Sequence, residues 1–443
     1  MSDYVYMLES HLSPDQNRVV EEVRKTAAQA NVNLFLTGGA MRDMLAGFRI
    51  RDLDFVVEGQ ALKLAKTLAE QGGAKALSLD EGTRSAELLF PGGVTVELAA
   101  SRRERASKPA KSAMAPATIQ EDLRGRDFTC NAIALSLNRA SRGLLLDPMN
   151  GLADIGHREL RAISPYGFYD DPSRLLRLIR FRVRLDFAIE ERTAMQVANA
   201  REAQVENNIP AKALGEELKR IALEDSPSEI LNALEEAGLL KLFSPSLAGP
   251  KLNHAGIAKF ERIAKLLPDD SLSRAARLGP FLFAFAEKLT PKERLALVAA
   301  TNLPKPAVDL WQKLEPRAKK LESALRSARI RKASQVYRIV SAAHPDEVLF
   351  LLYHSALKPV QERLRNYYQK YVLTVQEITP EEWATVEGKP GTPRYVKAKD
   401  AFVSNRLDRR VRKPPVPEEP PPPAAPPASS WTTPQTAMSR RAR

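Results

Sequence analysis

Apolar positions along this chain follow two periods, and the change from one to the other divides it. From about Ser13 to Ala30 they recur at helical spacing (Val19, Val20, Val23, Ala27). Leu34 to Gly59, LFLTGGAMRDMLAGFRIRDLDFVVEG, then reads as a strand, a Gly-Gly turn, a short helix and a second strand. A helix follows from about Gln60 to Gln71. Two strands come next, roughly Thr83–Phe90 and Val94–Ala99, joined at Pro91-Gly92-Gly93. Ser101–Ile119 is basic and rich in Ala, Ser and Pro, the composition of a mobile loop. Glu121–Leu137 predicts a helix that closes this first region, and Leu144–Ile155 a strand and turn. From Asp170 onward the pattern is helix after helix, punctuated at Pro304–Pro316 and Pro380–Pro393. Lys413–Arg443 is too dense in proline for helix or sheet and predicts a disordered or polyproline II tail.

A length of 443 residues suggests two to four domains, and 44% hydrophobic residues suffice for real cores. The net charge of +13 points to a polyanionic partner, which on charge alone is RNA, DNA or an anionic membrane. The single cysteine, Cys130, excludes an intrachain disulfide and a multi-cysteine zinc site, and its apolar context reads as buried filler. The five histidines lack ligand spacing, and no His-Asp dipeptide marks a second, hydrolytic activity. Met1–Val20 carries polar and charged residues throughout, unlike a signal peptide, and the apolar run near Phe281–Ala286 is far too short to span a bilayer. These features predict a cytoplasmic protein that does not enter membranes.

The chemistry concentrates near Asp52 and Asp54. Residues i and i+2 of a strand share a face, so the two carboxylates stand side by side and repel each other unless a cation lies between them. Phosphoryl transfer with two Mg²⁺ uses such a clamp on the attacking and leaving oxygens. The Gly38-Gly39 turn offers backbone N–H groups at a helix N-terminus, a cradle for a triphosphate. Gly-Gly-x-x-Arg-Asp, a spacer, then Asp-x-Asp is far more restrictive than either half alone.

In order, the chain carries Thr37-Gly38-Gly39 with Arg42-Asp43, Asp52-Leu53-Asp54, Val96-Glu97-Leu98-Ala99 and Arg126-Asp127-Phe128-Thr129-x-Asn131-Ala132. Leu146-Asp147-Pro148 with Gly151 and Asp154 follows, then Asp171-Pro172-Ser173-Arg174-Leu175-Leu176-Arg177 and a weaker stretch from Pro210 to Phe243. Over about residues 30–245 these resemble the class II tRNA nucleotidyltransferase and bacterial poly(A) polymerase family. The resemblance implies an α+β nucleotidyltransferase head, a small mixed sheet with helices, followed by an all-α neck, body and tail. It implies a head at 1–140, a helical neck with a nucleotide-selecting motif at 141–245, a tRNA-binding helical body and tail at 246–400 and a Pro-rich tail at 401–443.

It further implies that Asp52 and Asp54 bind two Mg²⁺, with Glu97 as the third catalytic carboxylate. Gly38, Gly39, Arg42, Arg126, Asp127 and Asn131 are then nucleotide or phosphate contacts. Arg42-Asp43 reads equally as a structural ion pair. Where the family has Arg-Arg-Asp this chain has Gly125 in the first position, with Arg124 beside it. Asp171 and Arg174, at i and i+3 of a helix starting after Asp170, pair a carboxylate acceptor with a guanidinium donor. That pairing suits the amine and adjacent ring acceptor of cytosine and adenine and opposes uracil and guanine. The family's motif begins with Glu where this chain has Asp170. Arg177 and Arg180 continue as additional nucleotide or RNA contacts. A second basic stretch, Lys305, Lys313, Arg317, Lys319, Lys320, Arg326, Arg329, Arg331 and Lys332, with Trp311 interspersed, reads as an RNA-tracking surface. The leading expectation is CCA addition to tRNA from CTP and ATP. Poly(A) synthesis, addition of CC or A alone, and an inactive RNA-binding relative are the alternatives, and the oligomeric state stays open.

Overall fold

A computed structural model describes residues 3–409 except 72, 104–114, 248, 269–270 and 390. The Pro-rich segment Lys413–Arg443 and most of the basic stretch between Ser101 and Ile119 lie outside the described residues. Helix α1 (Asp3–His11) precedes α2 (Pro14–Gln29), which Ser13 starts with a capping box. The Ser13 hydroxyl accepts the Gln16 N–H at 3.2 Å while the Gln16 side chain accepts the Ser13 N–H at 2.9 Å. The expected stripe Val19, Val20, Val23 and Ala27 is the buried face.

Then come β1 (Asn33–Thr37), α3 (Gly38–Leu45), β2 (Leu53–Glu58), α4 (Ala61–Gln71), β3 (Lys75–Asp80), β4 (Ser85–Phe90) and β5 (Val94–Ala100). A two-residue ribbon, β6 (Arg102–Arg103) with β7 (Ala115–Pro116), leads to α5 (Ile119–Arg124), β8 (Ala134–Ser136) and β9 (Leu145–Leu146). Seven strands form one mixed sheet in the order β3-β4-β5-β2-β1-β8-β9, with β2 and β5 parallel and the other neighbours antiparallel. Along β2, Leu53, Phe55 and Val57 enter the main core. Val56 faces the other way, into a small cluster with Phe35, Ile119 and Leu123. Asp52 and Asp54 share the face of Val56, so α5 covers its apolar end and leaves its acidic end open.

The helix expected over Glu121–Leu137 is not there. It stops at Arg124, a short turn follows at Thr129–Asn131, and the apolar residues after it form β8 beside β1. Strand β8 is buried along its whole length, and a short run apolar on every side has no period to separate strand from helix. Strand β3 was unforeseen because every residue of this edge strand is exposed. The β8–β9 hairpin carries the head sheet past residue 140, and the last described helix, Pro393–Asp408, runs through residue 401.

The remaining described residues are mainly helical, with a two-residue parallel pairing of β10 (Glu159–Leu160) and β11 (Ala188–Ile189). Helices α6 (Gly151–His157), α7 (Gly167–Asp170), α8 (Arg174–Leu185), α9 (Glu191–Glu202), α10 (Ala211–Leu223) and α11 (Pro227–Glu236) form the neck beside the sheet. One core runs continuously from Leu8 to Leu364, so head and neck bury their apolar faces against each other. Trp311 is buried in that core and does not offer its ring to a nucleic acid. Among the described residues no helix is long and apolar enough to cross a membrane.

Two glycines test this packing. A Cβ on Gly215 would lie 2.1 Å from the Thr301 carbonyl oxygen, whereas one on Gly156 meets nothing within 4 Å. Gly215→Ala is expected to cost about 1–3 kcal/mol through overpacking. Gly156→Ala is expected to gain about 0.5–1 kcal/mol from helix propensity. Thermal melts of the two variants check both signs.

Candidate active site

The parallel register of β2 and β5 sets Asp54 opposite Glu97, and the antiparallel register of β5 and β4 sets Glu97 opposite Glu87. Asp52, just before β2, is exposed, and its Oδ1 accepts the Thr95 hydroxyl at 3.1 Å. Asp54 is half-buried, and its Oδ2 accepts the Gly39 N–H at 3.0 Å. The first turn of α3 therefore already points an amide at negative charge. Gly38 needs to be glycine twice over. Its φ is +62°, and a Cβ there would come within 3.2 Å of both Asp54 Oδ2 and Arg126 Nη1.

Four carboxylates, Asp52, Asp54, Glu97 and Glu87, thus line one sheet face. Burial, then Glu97 and Asp52, push the Asp54 carboxyl up to about 7 against the opposing pull of the Gly39 amide and Arg126. Glu87 is raised too, by burial first and then by Glu97, Asp52 and Glu216. Among the described residues no three His, Cys, Asp or Glu side chains converge into a ready-made metal cage. The donor set still suits a hard divalent cation that keeps part of its water, because the mutual repulsion that lifts Asp54 is what such an ion would relieve. Glu87 escaped sequence reasoning. Its only signal was the alternation of β4, whose outward residue it is, and its partner across the sheet required the register.

Arg126 borders this face. Its guanidinium donates to Asp122 Oδ2 at 3.1 Å, to the Thr37 hydroxyl at 3.1 Å and to the Asn131 carbonyl at 3.0 Å. Arg126 and Asp127 follow α5, outside the helix expected over Glu121–Leu137. Asp127 is a scaffold. One oxygen accepts the Phe128 N–H at 2.8 Å and the Asn131 amide at 2.9 Å, and the other accepts Arg177 at 3.0 Å. Burial would raise its carboxyl, but Arg177, Asn131, the Phe128 amide and Arg174 outweigh it and hold it below the usual range.

Arg42 and Asn131 are both buried and bond each other. Arg42 is 3% exposed, binds Asp43 at 2.7 Å and the Asn131 side-chain oxygen at 2.8 Å, and lies over the Phe181 ring at 4.8 Å. Arg42 and Asp43 form the buried ion pair of the structural reading. Gly125 has an ordinary helical φ of −87° and nothing nearer to a Cβ than 3.5 Å, so its backbone does not demand glycine. Cys130 is fully buried, and burial pushes its thiol up to about 12, consistent with inert filler.

Asp171 and Arg174 come together, though not on one helix. Asp171 ends α7 at φ −137° and α8 begins at Arg174, because the residue before Pro172 is kept out of the helical region. Asp171 Oδ1 accepts the Ser173 N–H at 3.1 Å, and Arg174 Nε lies 3.9 Å from Asp171 Oδ2. That Nε is buried with no hydrogen-bond partner. Gly167 walls the slot, since a Cβ there would stand 2.7 Å from Arg174 Nη1. Arg177 binds both Asp171 and Asp127, which joins the Asp171–Arg174 corner to the head.

Arg180 is turned inward. It is 3% exposed, pairs with Glu217 at 2.9 Å and Glu224 at 3.1 Å, and lies over Phe181. In the second basic stretch Arg317 is held by Asp346 and Glu347, and Lys313 pairs with Asp309 at 2.9 Å. Lys319, Lys320, Arg326, Arg329 and Arg331 are exposed.

The Asp54 shift has a definite sign. In metal-free protein its carboxyl holds a proton to about pH 7, whereas in the unfolded chain it loses that proton near pH 4. Its contribution to stability is fully present below about pH 4 and is lost as pH rises through about 7. Asp54→Asn is therefore expected to raise the melting temperature of the metal-free protein by more at pH 8 than at pH 5. Melts in EDTA at the two pH values check it, and an equal shift at both would contradict it.

A family model described as the poly A polymerase head domain matches residues 34–161. The A-adding tRNA nucleotidyltransferase of Aquifex aeolicus is 29% identical over 342 residues, 76% of this chain and 40% of its own length. The CC-adding tRNA nucleotidyltransferase of Deinococcus radiodurans is 30% identical over 295 residues, 66% of this chain and 76% of its own. The chain spans about half the length of the A-adding relatives it matches. A solved complex of a CCA-adding enzyme with CTP superposes with a TM-score of 0.51 at 25% identity, covering 93% of this chain and 95% of that one. From the acidic sheet face through to the helical neck, the chain belongs to the tRNA nucleotidyltransferase family that carries the poly A polymerase head domain.

Proposed function

We propose that the protein adds the CCA end of tRNA, transferring CMP and AMP from CTP and ATP to the RNA 3′-hydroxyl with release of pyrophosphate. The observation that carries this reading is the Asp171–Arg174 corner, where a buried guanidinium nitrogen lacks a partner beside a carboxylate and is tied through Arg177 and Asp127 to the acidic sheet face. A buried donor left unmatched is costly, so a ligand acceptor in that slot is strongly favoured. Cytosine and adenine each present a ring acceptor beside an exocyclic amine, which meets Arg174 and Asp171 in the right polarity. Uracil and guanine reverse it.

Asp52 and Asp54 would hold Mg²⁺, two ions in this reading, with Glu97 across the strand pair. When bound, these ions lower the pKa of the RNA hydroxyl and stabilise the departing pyrophosphate. The protein's own residues do the rest. The Gly38-Gly39 turn keeps the sheet face open to a triphosphate, and Arg126 supplies positive charge at its edge. Gly167 leaves room for the Arg174 side chain, and Asp127 holds Arg177. Division into head, neck and tRNA-binding body, with action in the cytoplasm, completes the proposal. A second reading, addition of CC or A alone, draws support from relatives named for each activity. An inactive RNA-binding relative is disfavoured because Asp52, Asp54, Glu97, Asp171 and Arg174 are all present.

Incubation with tRNA ending at the discriminator base, Mg²⁺ and all four nucleotides, followed by 3′-end sequencing, tests it. A CCA end is expected. CC alone, or A only on a CC end, marks a split pathway, a long A tract marks a poly(A) polymerase, and no addition contradicts the proposal. Asp52→Ala with Asp54→Ala is expected to abolish incorporation while tRNA binding in a filter assay is retained. Arg174→Ala is expected to lower kcat/KM for CTP and ATP by about 10²-fold or more and UTP by much less, since the lost donor discriminates only for the matching bases.

A further inference from the structure

Helix α8 carries arginines at 174, 177, 180 and 184, all within one side of the helix. Two of these rungs leave the neck and bind the head, Arg177 at Asp127 and Arg184 at Asp43 on α3. The last rungs converge on Glu224, which caps the end of α10 and is buried. Glu224 accepts Arg180 Nη1 at 3.1 Å and lies 3.6 Å from Arg184 Nε. A third guanidinium reaches it from the head, Arg51 Nη1 at 2.7 Å. Arg51 also binds Asp225, which in turn accepts Arg277 at 3.2 Å. Burial would raise the Glu224 carboxyl, but Arg184, Arg180 and Arg51 overcome it and hold it down at about 2, so it stays charged at any working pH.

Arg51 is the residue immediately before Asp52. We propose that Arg51, Glu224 and Asp225 form a positioning clamp that fixes the strand bearing the acidic residues relative to the helix bearing Arg174, and that this clamp sets nucleotide discrimination. The inference rests on the nucleotidyltransferase reading above. A nucleotide is gripped at two ends, by its phosphates on the head and by its base on the neck. Discrimination at Arg174 then requires the spacing between the two grips to be held. Slack of even about 1 Å at a reacting centre costs on the order of 10²-fold in rate. Here it would fall on the correct nucleotides, which use both grips, and spare the wrong ones, which use one. Buried ion networks add little stability over apolar packing, so a purely stabilising role is a poor account of charge gathered at the junction of head and neck.

Glu224 is too deeply enclosed for its loss to be read cleanly, so the test uses Arg51. Arg51→Gln is expected to reduce the ratio of kcat/KM for CTP over UTP by about tenfold or more, through the CTP value, with KM for tRNA unchanged. Arg51→Lys keeps the charge and is expected to recover most of the ratio. Asp225→Asn, at an exposed carboxylate, is expected to move the ratio in the same direction by less and serves if Arg51→Gln does not fold. The wild-type ratio in Arg51→Gln, or in Asp225→Asn where Arg51→Gln does not fold, overturns the clamp alone, whatever the melting temperature. A wild-type protein that incorporates no nucleotide overturns the reading beneath it as well.

Discussion

Like charge held on one face of a sheet is the constraint around which this molecule is arranged. The registers of β2, β5 and β4 bring Asp54, Glu97 and Glu87 into one row, and Asp52 extends it along the strand. Opposed like charges on neighbouring strands destabilise a sheet, and the lifted Asp54 carboxyl records that repulsion. The surroundings moderate it only in part. The first turn of α3 lends one amide, and Arg126 stands at the edge already committed to Asp122, Thr37 and the Asn131 carbonyl. What is left is an acidic surface with capacity for cations, open at the end of the sheet face that α5 leaves uncovered.

The second half of the site depends on how the neck is held. Helix α8 fulfils several roles through residues of one type. Arg174 keeps its Nε without a hydrogen bond beside Asp171, Arg177 ties the corner to Asp127, and Arg180 and Arg184 neutralise Glu217, Glu224 and Asp43 inside the protein. The contrast explains why an unpartnered arginine is informative here. Arg180 at a later rung is satisfied by Glu217 and Glu224, whereas the Arg174 Nε beside Asp171 and Gly167 has no hydrogen-bond acceptor.

Much of this was legible in the residues. The Asp52–Asp54 pair at the start of β2 and the glycines that open α3 follow from local pattern, because strand alternation and turn chemistry act over a few residues, whereas Asp171 and Arg174 meet across a helix boundary and not on the one helix expected. What escaped depends on long-range contact. Arg42, Asn131 and Arg180 look like phosphate or RNA ligands in one dimension, and only the fold reveals Asp43 and Phe181 against Arg42, Asp127 and Arg42 against Asn131, and Glu217 and Glu224 against Arg180. Glu87 waited on strand register. The helix read over Glu121–Leu137 failed where β8 is enclosed on both faces, a setting that removes periodicity. Single basic residues mislead in the same way, since Arg317 and several α8 arginines are paired internally with carboxylates.

The most direct test of the central claim is a crystal structure of the protein with CTP and Ca²⁺. The account predicts the cation between the Asp52 and Asp54 carboxylates and the cytosine edge on Asp171 and Arg174, with the Arg174 Nε no longer unpartnered. A nucleotide seated elsewhere, or held on the sheet face with its base away from Arg174, would contradict it.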